Sequence, residues 1–597
     1  MRIVPYLLGI LSWSAGIPEF IDITETAMPH REIYGSFVSI RDFDNDGLED
    51  ILIDNQLLKN ISYHGVFFKD VTHETGLSEA RGHGTFIEID GDTCPDIIFY
   101  GVSHSIQIYK NNCNGYFDKV NDFVGFENCI HTEAIGFIPH KNYKHGLIYC
   151  ANYEYKDEYF QDYIYASNGD LTFYDVSFLL RSQMSKIKMP SRCVVSKDIN
   201  NDNLVDFYVC NYRLFPNLLF MQMDTGEFSN EAININASSF SSGINNFAGS
   251  HTIGVSIEDL NNDGIMDIVV TNLAHNDYER GRFNKKSELL IFDKIKNSYV
   301  DVREISGIRI DQVGSKINGV FKDELFSSSV VADFNNDGIL DIFLTQVYDY
   351  EYSFSKFFTG ISESPYFGDT SFVSGIHIYD SLGSAYIDLN GDGCLDIVVA
   401  GKYKGELNRT IKVFENKCNY PGDFIQFKLS SRGYVDYPGF KIRVFLNDGQ
   451  KLKVLTRGIE YTNSGFGQQN TETLHFGLGN DYMIDHIEIE WGDGLYQLLV
   501  NYQINTLNYI SRPDYLIECD LNIIGYDNQN IYLSSNCNSD SGYDIFWGNS
   551  CEQDLVYLKD MIINKNILKG NDFCKDFVIF LRHDFIGVKK YITRLDF

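Results

Sequence analysis

Several features are missing from this 597-residue sequence, and their absence limits the classes of protein to which it can belong. It has no basic surplus, since 49 lysines and arginines stand against 82 aspartates and glutamates, for a net charge of −33. Such acidity argues against nucleic acid as a partner, because phosphate backbones are held by basic patches. The apolar run Ile3–Trp13 is too short for a membrane span, which needs roughly 20 residues, and the chain ends on charged residues. We therefore expect neither a membrane span nor a lipid-anchor tail.

Signatures of catalysis are also missing. The sequence contains no Walker, Rossmann or GxSxG motif and no pattern that pairs a nucleophile with a base. It has twelve cysteines but no CxxC pair, so a metal centre built on thiols is not expected. These absences predict that the chain is not an enzyme.

A nine-residue acidic segment is present six times. Carboxylate or amide oxygens stand at positions 1, 3, 5 and 9, and position 6 is usually glycine. A tight loop with this spacing surrounds one ion with hard oxygen ligands, as Ca²⁺ requires. With the carbonyl of position 7 included, the predicted ligands are Asp42, Asp44, Asp46, Leu48 and Asp50; Glu88, Asp90, Asp92, Cys94 and Asp96; Asp198, Asn200, Asp202, Leu204 and Asp206; Asp259, Asn261, Asp263, Ile265 and Asp267; Asp333, Asn335, Asp337, Ile339 and Asp341; and Asp388, Asn390, Asp392, Cys394 and Asp396.

The loops are not EF-hands. An EF-hand needs a glutamate at position 12 and helices on both sides, whereas position 12 is apolar in all six copies and β-branched or aromatic residues follow position 9. The sequence therefore predicts strand, acidic loop, strand. Plain solvated turns are the alternative, but six copies in phase favour five or six Ca²⁺ sites. The segment Glu88–Asp96 is the weakest, since Glu88 replaces Asp and Thr93 replaces glycine; in the third copy Asn203 takes that place.

The spacing of the loops predicts a ring of repeats. The distance from one loop to the next corresponds to one repeat, except between the second and third loops, where it corresponds to two. This double distance leaves room for a repeat without the acidic loop near Thr132–Tyr153. Seven units of short strands are typical of a β-propeller. An aromatic-x-Asp element recurs late in the units and also precedes the first loop at Phe20–Thr24. We expect residues 20–24 to supply the outermost strand of the last unit and so close the ring.

The N-terminus and the cysteines predict a secreted protein. Residues 1–16 read as a signal peptide with cleavage near Ser14–Gly16, and sequons at Asn60, Asn236 and Asn408 permit glycosylation. Twelve cysteines in such a chain indicate disulfides. Matching positions in the repeats pair Cys94 with Cys113, Cys394 with Cys418, Cys193 with Cys210 and Cys129 with Cys150, and the last four cysteines, Cys519, Cys537, Cys551 and Cys574, follow residue 513.

The acidic loops resemble the FG-GAP (integrin-α-like, VCBS-type) calcium repeats over residues 36–415. The sequence between the loops, such as Cys210–Arg213 and His251–Gly254, is similar to that of the cartilage acidic protein family. Residues 421–511 resemble that family's ASPIC/UnbV domain, on the residues Arg457–Tyr461, Leu474–Gly479 and Ile487–Gly494. The family pattern has proline after Trp491, where this chain has glycine.

The predicted architecture is all-β. It comprises a signal peptide (1–16), a seven-bladed propeller (17–418), a small β-sandwich-like ASPIC/UnbV domain (421–511) with a hairpin turn at Asn447–Gly449, and a cysteine-containing extension (513–597) of unknown fold. His251, His275 and Arg213 either line a ligand site on one propeller face or, as we prefer, hydrogen-bond the connections between blades. His475 is expected to be structural.

Two functions remain open. The first is a secreted adhesion or matrix-type binding protein in which Ca²⁺ rigidifies the blade loops and the partner is an extracellular protein or glycan. The second is a lectin or a polysaccharide lyase built on the same propeller. Fold alone does not separate them, and the missing catalytic constellation favours binding.

Overall fold

The computed structural model describes residues 16–512 and, beyond them, only seven strands between 521 and 594. Within 16–512 it leaves out 121–124, 157, 182–187, 241–248, 278–281, 284–285, 309–319, 349–353, 363–364, 420–421, 430–438, 450–451, 462–465, 481, 493–494 and 500. The predicted signal peptide and all four cysteines after residue 513 fall outside the described residues. No helix in the described part of the chain is long and apolar enough to cross a membrane.

The chain is all-β, as predicted, and 28 of its first 29 strands form seven antiparallel four-stranded units among the described residues. The units are β2–β5 (Val38–Arg41, Asp50–Ile53, Gln56–Asn60, Phe68–Asp70), β6–β9 (His83–Ile87, Asp96–Gly101, His104–Asn111, Phe117–Lys119), β10–β13 (Thr132–His140, Tyr143–Asn152, Tyr163–Ser167, Phe173–Asp175), β14–β17 (Ser191–Lys197, Asp206–Asn211, Leu218–Gln222, Phe228–Asn230), β18, β19, β21 and β22 (Thr252–Glu258, Asp267–Asp277, Glu288–Asp293, Ser298–Asp301), β23–β26 (Val320–Ala332, Asp341–Gln346, Lys356–Ser362, Tyr366–Asp369), and β27–β29 (Ser384–Ile387, Asp396–Gly401, Thr410–Asn416) completed by β1 (Phe20–Asp22).

The units follow one another around a ring. The first strand of each unit contacts the neighbouring unit, and β27 of the last unit contacts β2 of the first. Strand β19 also pairs with β23 and with the short β20 (Arg282–Phe283). Among the described residues, helical structure is confined to α1 (Thr24–Ala27), α2 (Arg303–Ser306) and a 3-10 turn at Ser177–Leu179. We interpret the ring as a propeller and the units as its blades.

The aromatic-x-Asp elements are outermost strands. They form β5, β9, β13 and β22, and the element before the first loop forms β1, which pairs with β29 in the register Phe20↔Asn416. In β1, β5, β13 and β22 the aspartate ends the strand, because its carboxylate accepts a backbone N–H two residues on, as Asp22 does from Thr24 at 2.8 Å. The predicted closure of the last blade by the N-terminal segment is confirmed.

Replacement of Phe20 by alanine tests how much this closure contributes. The Phe20 ring is 3 % exposed and packs against Phe334 and Phe357 of the neighbouring blade. We expect Phe20→Ala to lower the free energy of unfolding in urea by about 3–5 kcal/mol, the usual cost of such a cavity. The exposed Ile21, on the other face of β1, is the control, and equal losses for Phe20→Ala and Ile21→Ala would contradict the expectation.

The disulfide prediction is confirmed for the four pairs within the described residues. The bonds join Cys94 to Cys113, Cys129 to Cys150, Cys193 to Cys210 and Cys394 to Cys418. Of the three sequons, Asn60 is 2 % exposed and its amide donates to the Glu49 carbonyl. A glycan on Asn60 is therefore incompatible with this fold, whereas Asn408 is exposed.

The second domain consists of two sheets. One contains β30, β34 and β37 (Asp423–Leu429, Leu474–Gly479, Leu507–Ile510), and the other contains β31, β32, β35 and β36 (Lys441–Asn447, Leu452–Gly458, Met483–Glu490, Leu495–Leu498). The predicted hairpin joins β31 to β32. The Trp491 ring is fully buried against Phe440, and Gly492 after it has φ +74°, a turn conformation that suits glycine.

Two pairings of this region were not predicted. Strand β33 (Gln468–Gln469) leaves the domain and pairs in parallel with β2 of the first blade. Strand β36 pairs with the C-terminal β44, so part of the extension continues the second domain's sheet. The remaining strands are β38–β43 (Leu521–Tyr526, Asn530–Ser535, Tyr543–Asn549, Glu552–Tyr557, Ile562–Asn564, Asp576–His583), and β44 is Gly587–Arg594.

Candidate metal centres and the face they share

All six acidic loops connect the first to the second strand of a blade in one register. Position 9 opens the second strand and pairs with the residue just before position 1, as in Glu258↔Asp267 and Ala332↔Asp341. The flanking elements are strands, so the prediction of strand, loop, strand is confirmed. The third blade has only Lys141 and Asn142 between its first two strands, which confirms the predicted repeat without carboxylates.

The backbone of each loop is wrapped around its own carboxylates. In the fourth loop Asp259 accepts the N–H groups of Asp263 and Gly264, both at 2.9 Å. Asp267 accepts from Leu260 at 3.0 Å and from Phe292 of the third strand at 2.9 Å. The first, third, fifth and sixth loops repeat these bonds. The carboxylates thus converge on one point because the loop folds around them.

The carboxylate at position 9 is buried in every loop. The six aspartates are at most 1 % exposed: Asp50, Asp96, Asp206, Asp267, Asp341 and Asp396. Burial raises the pKa of Asp50 to about 9 and that of Asp96 to about 8, and it raises the pKa of the other four well above the usual value of an aspartate. Neighbouring loop carboxylates add to these shifts. A buried carboxylate of this kind is stable in its charged form only beside a cation.

Positions 4 and 6 of each loop adopt the left-handed conformation. Position 6 has φ +91° at Gly47 and +84° at Gly264, which glycine adopts without strain. Asn203 takes the same conformation at φ +68°, and asparagine tolerates it. Thr93 is there at φ +73°, which for a β-branched residue costs about 1–3 kcal/mol. The second loop is therefore strained where the sequence predicted a weakness.

The residues present fit a calcium ion. One oxygen each of Asp42, Asp44 and Asp50 lies within 4.8 Å of the others, and Glu88, Asp90 and Asp96 form a similar group. Oxygens bound to one Ca²⁺ at 2.3–2.6 Å lie no further apart than about 5 Å. Among the described residues no donor reaches the buried Oδ1 of Asp44 or Oε2 of Glu88. Cys94 and Cys394 lie in disulfides, so they offer no thiolate.

The loops of consecutive blades are linked. The amide of Asn201 donates to the carbonyl of Gly264 in the next loop at 2.6 Å, and Asn262 donates to Gly338 at 3.1 Å. Asn336 continues the series to Gly393 at 3.0 Å. The third to sixth loops therefore form one connected surface at one end of the ring, which we call the loop face.

The second domain covers part of the loop face with cations. The Lys441 ammonium lies 2.6 Å from the carboxylate of Asp198 and 3.1 Å from the amide oxygen of Asn201, both in the third loop. The Lys428 ammonium lies 3.6 Å from Asp42 in the first loop. These lysines are buried. They contact carboxylates that stand at position 1.

The positive charge of Arg457, in the second domain, acts on two further position-1 carboxylates. Burial raises the pKa of Asp259 and that of Asp333 to about 7, and the guanidinium of Arg457 opposes the rise in both. At the sixth loop a neutral donor takes this place, since the Gln426 amide donates to Asp388 at 3.0 Å. The second domain therefore contributes to the electrostatics of five of the six loops.

A strand of the second domain also enters the centre of the ring. Gln469 donates to the carbonyl of Phe86 at 2.9 Å and accepts its N–H at 3.0 Å, on the first strand of the second blade. Gln468 donates to the carbonyl of Ser329 in the sixth blade at 2.9 Å. The N–H of Val38 in the first blade donates to Gly467 at 2.9 Å. Residues 467–469 thus bridge three blades, and we call them the plug.

The histidines and the arginine noted in the sequence occupy structural positions where they are described. Arg213 donates to Glu154 at 2.8 Å, and Arg192 holds the same carboxylate while stacking on two tyrosine rings. The His251 ring packs on Tyr212. The side chain of His275 lies outside the described residues. His475 is buried, its pKa falls to about 3 through burial and Arg457, and it bonds Asn336 and Gln426.

A cleft opens where the second domain meets the first and sixth loops. Its volume is about 430 Å³, and it is lined by loop residues such as Glu49 and Asp388 and by Gln426 and Lys428 of β30. Tyr63 stands at the cleft with 85 % of its surface exposed. The cleft was not predicted, because Glu49 on its first-loop side is 377 residues from Gln426 along the chain, although Asp388 is only 38 residues from it.

Comparison with known proteins identifies the second domain. Residues 438–515 match the ASPIC and UnbV family, close to the predicted 421–511. The chain is 24 % identical to cartilage acidic protein 1 of Xenopus tropicalis, over 80 % of this chain and 74 % of that protein. The human cartilage acidic protein 1 is 23 % identical, with 83 % and 76 % covered.

Among solved structures, a Trypanosoma rangeli sialidase in complex with the inhibitor DANA covers 90 % of this chain and 87 % of its own, at 7 % identity and a TM-score of 0.32. A likeness this distant supports no statement about function. Residues 438–515 thus match the ASPIC and UnbV family, and over most of its length the chain is similar to cartilage acidic protein 1.

Proposed function

We propose that this chain is a secreted, calcium-binding, seven-bladed propeller protein that binds other molecules of the extracellular matrix. One observation carries the calcium part: six loops of one register each surround a fully buried aspartate with further oxygen donors. Disulfides and the relationship to a protein named for cartilage support the extracellular setting.

The ions are proposed to have a structural role. Three or four carboxylates in one loop repel each other, and a divalent cation removes the repulsion and fixes the loop. Because consecutive loops are hydrogen-bonded to each other, ordering one loop supports the next. Extracellular modules of this kind work with a Kd on the order of 10⁻⁴ to 10⁻³ M, because ambient calcium is high.

Binding to matrix is tested with the full chain in millimolar calcium and in chelator. We expect capture from a cartilage-matrix extract in calcium, and a marked loss in chelator or for the variant Asp267→Asn, which weakens one loop. Asp224→Asn, at a fully exposed aspartate, is the control and should bind as the parent does. Capture that is the same with and without calcium would contradict the proposed dependence.

A sugar-binding function is the second candidate, and the cleft favours it. Its volume of about 430 Å³ lies in the range of small-molecule sites, and an exposed tyrosine beside carboxylate and amide groups suits the face of a sugar ring. A glycan array probed with the full chain and with Tyr63→Ala separates the candidates. A signal that Tyr63→Ala abolishes would favour sugar binding, and no signal would leave the protein partner as the better proposal.

A further inference from the structure

The six loops fall into two classes at position 3. The first and second loops carry aspartates there, Asp44 and Asp90, whereas the other four carry asparagine. The classes differ at a second place, the third-strand residue just before the one whose N–H bonds the position-9 aspartate. In loop order this residue is Lys59, Lys110, Met221, Ile291, Thr359 and Glu415. Lysine therefore occurs there only in the two loops with aspartate at position 3.

In the asparagine loops, the loop bridges its own ligands. The amide of Asn200 donates to the position-5 carboxylate of Asp202 at 2.9 Å. The same bond is found in the fourth, fifth and sixth loops at 3.2, 2.9 and 3.0 Å. The amide nitrogen thus holds Oδ2 of position 5, and the amide oxygen, which accepts the backbone N–H of position 5 with one lone pair, offers the other lone pair as the candidate ion ligand.

An aspartate at position 3 cannot make this bond, because a carboxylate has no N–H. Two carboxylates would then face each other across the loop and repel. In the first loop the Lys59 ammonium lies between them, in contact with Oδ2 of Asp44 and 2.9 Å from Oδ2 of Asp46.

The second loop repeats the arrangement. The Lys110 ammonium contacts Oδ2 of Asp90 and lies 3.0 Å from Oδ2 of Asp92. In the first loop the lysine holds only the outer oxygen of the position-3 carboxylate. The inner oxygen, Oδ1 of Asp44, is buried and bonds no donor among the described residues, and Asp44 is grouped with Asp42 and Asp50 through one of its oxygens.

The first five loops carry the same formal charge, and the sixth is one unit more negative because Glu415 stands at the third-strand place. Four carboxylates and one lysine give −3 in the first loop (Asp42, Asp44, Asp46, Asp50 and Lys59), and three carboxylates give −3 in the third (Asp198, Asp202, Asp206). Aspartate with lysine therefore replaces asparagine with a neutral residue at no change in the total.

We propose that Lys59 and Lys110 are positioning residues of the first and second metal centres, each doing with its ammonium what the position-3 asparagine amide does in the other loops. The proposal rests on the proposed calcium function of the loops. It assigns Lys59 to the outer side of the site, where it orients Asp44 without occupying the place of the ion.

The test converts the first loop of the full chain from the class with aspartate at position 3 to the class with asparagine there. Lys59→Met removes the bridge, and Asp44→Asn with Lys59→Met gives the first loop the same pair as Asn200 and Met221 in the third. Lys69→Met, at an exposed lysine paired with Glu74, is the control. Calcium binding is followed by titration calorimetry, and stability is followed by urea unfolding in chelator.

We expect Lys59→Met to weaken one calcium site by about 10–100-fold, as loss of an outer partner of a metal ligand usually does, and the double variant to restore it. In chelator Lys59→Met should unfold at lower urea than the parent, and the double variant should recover. Tighter or unchanged calcium binding in Lys59→Met would overturn the proposal, because the lysine would then compete with the ion or be irrelevant.

The urea unfolding measured in chelator distinguishes failure of this inference from failure of the calcium proposal. If the parent binds no calcium, the calcium function fails. Loss and recovery of stability in chelator would still support the bridge between the two carboxylates. Equal urea midpoints for the parent, Lys59→Met and the double variant would overturn it whatever the calcium result.

Discussion

Removal of calcium is expected to lower the melting temperature of this protein by on the order of 10–20 °C. In calcium at 100 times the Kd, which is about 10 mM for a Kd of 10⁻⁴ M, each site stabilises the folded state by about 2.7 kcal/mol, so six independent sites would contribute roughly 16 kcal/mol. Unfolding entropies of about 2 cal/mol/K per residue convert that energy into the stated shift for a domain of several hundred residues.

The physical reason lies in the position-9 aspartates. Each is buried with two N–H donors and with the carboxylates of its own loop nearby. Without a cation, the fold must either protonate these groups or hold charge in an apolar setting. Differential scanning calorimetry in calcium and in chelator measures the shift, and return of calcium should restore the higher melting temperature. Coincident transitions in the two conditions would contradict the expectation.

Replacement of Gln469 by leucine is expected to lower the free energy of unfolding by about 2–5 kcal/mol. The side chain pairs with both backbone groups of Phe86, and a buried polar group left without its partner costs about 1–3 kcal/mol. Since leucine is similar in size, the loss reports the missing hydrogen bonds rather than a cavity.

Urea unfolding of the full chain measures this effect. Gln503→Leu, at an exposed glutamine of the same domain, is the control and should stay within about 0.5 kcal/mol of the parent. A loss for Gln469→Leu no larger than that of the control would show that the plug does not hold the blades together.

The parts of the fold that repeat locally could be predicted from the sequence. The acidic loops and the outermost strands each recur with the same residue types a few positions apart, because each blade is a repeat of the same structural unit. The pairing of β1 with β29 followed from one such element standing where no blade had begun. Phe228–Asn230 is an outermost strand too, but asparagine replaces its aspartate, whereas Tyr366–Asp369 keeps the pattern at Phe367–Asp369 and was overlooked.

The contacts of the second domain with the loop face could not be predicted in this way. Lys441 is 243 residues from Asp198, and Gln469 is 383 residues from Phe86. No local pattern links such partners, because only the folded ring brings them together. The role of Lys59 could have been predicted, because the joint occurrence of lysine and position-3 aspartate is visible once the third strands are aligned.

The number of calcium ions bound per chain tests the central claim most directly. Equilibrium dialysis of the full chain against millimolar calcium, followed by elemental analysis, should give five or six ions per chain, with the loop at Glu88–Asp96 the first to empty as calcium is lowered. Retention of less than one ion per chain at millimolar calcium would contradict the claim that these loops are metal centres.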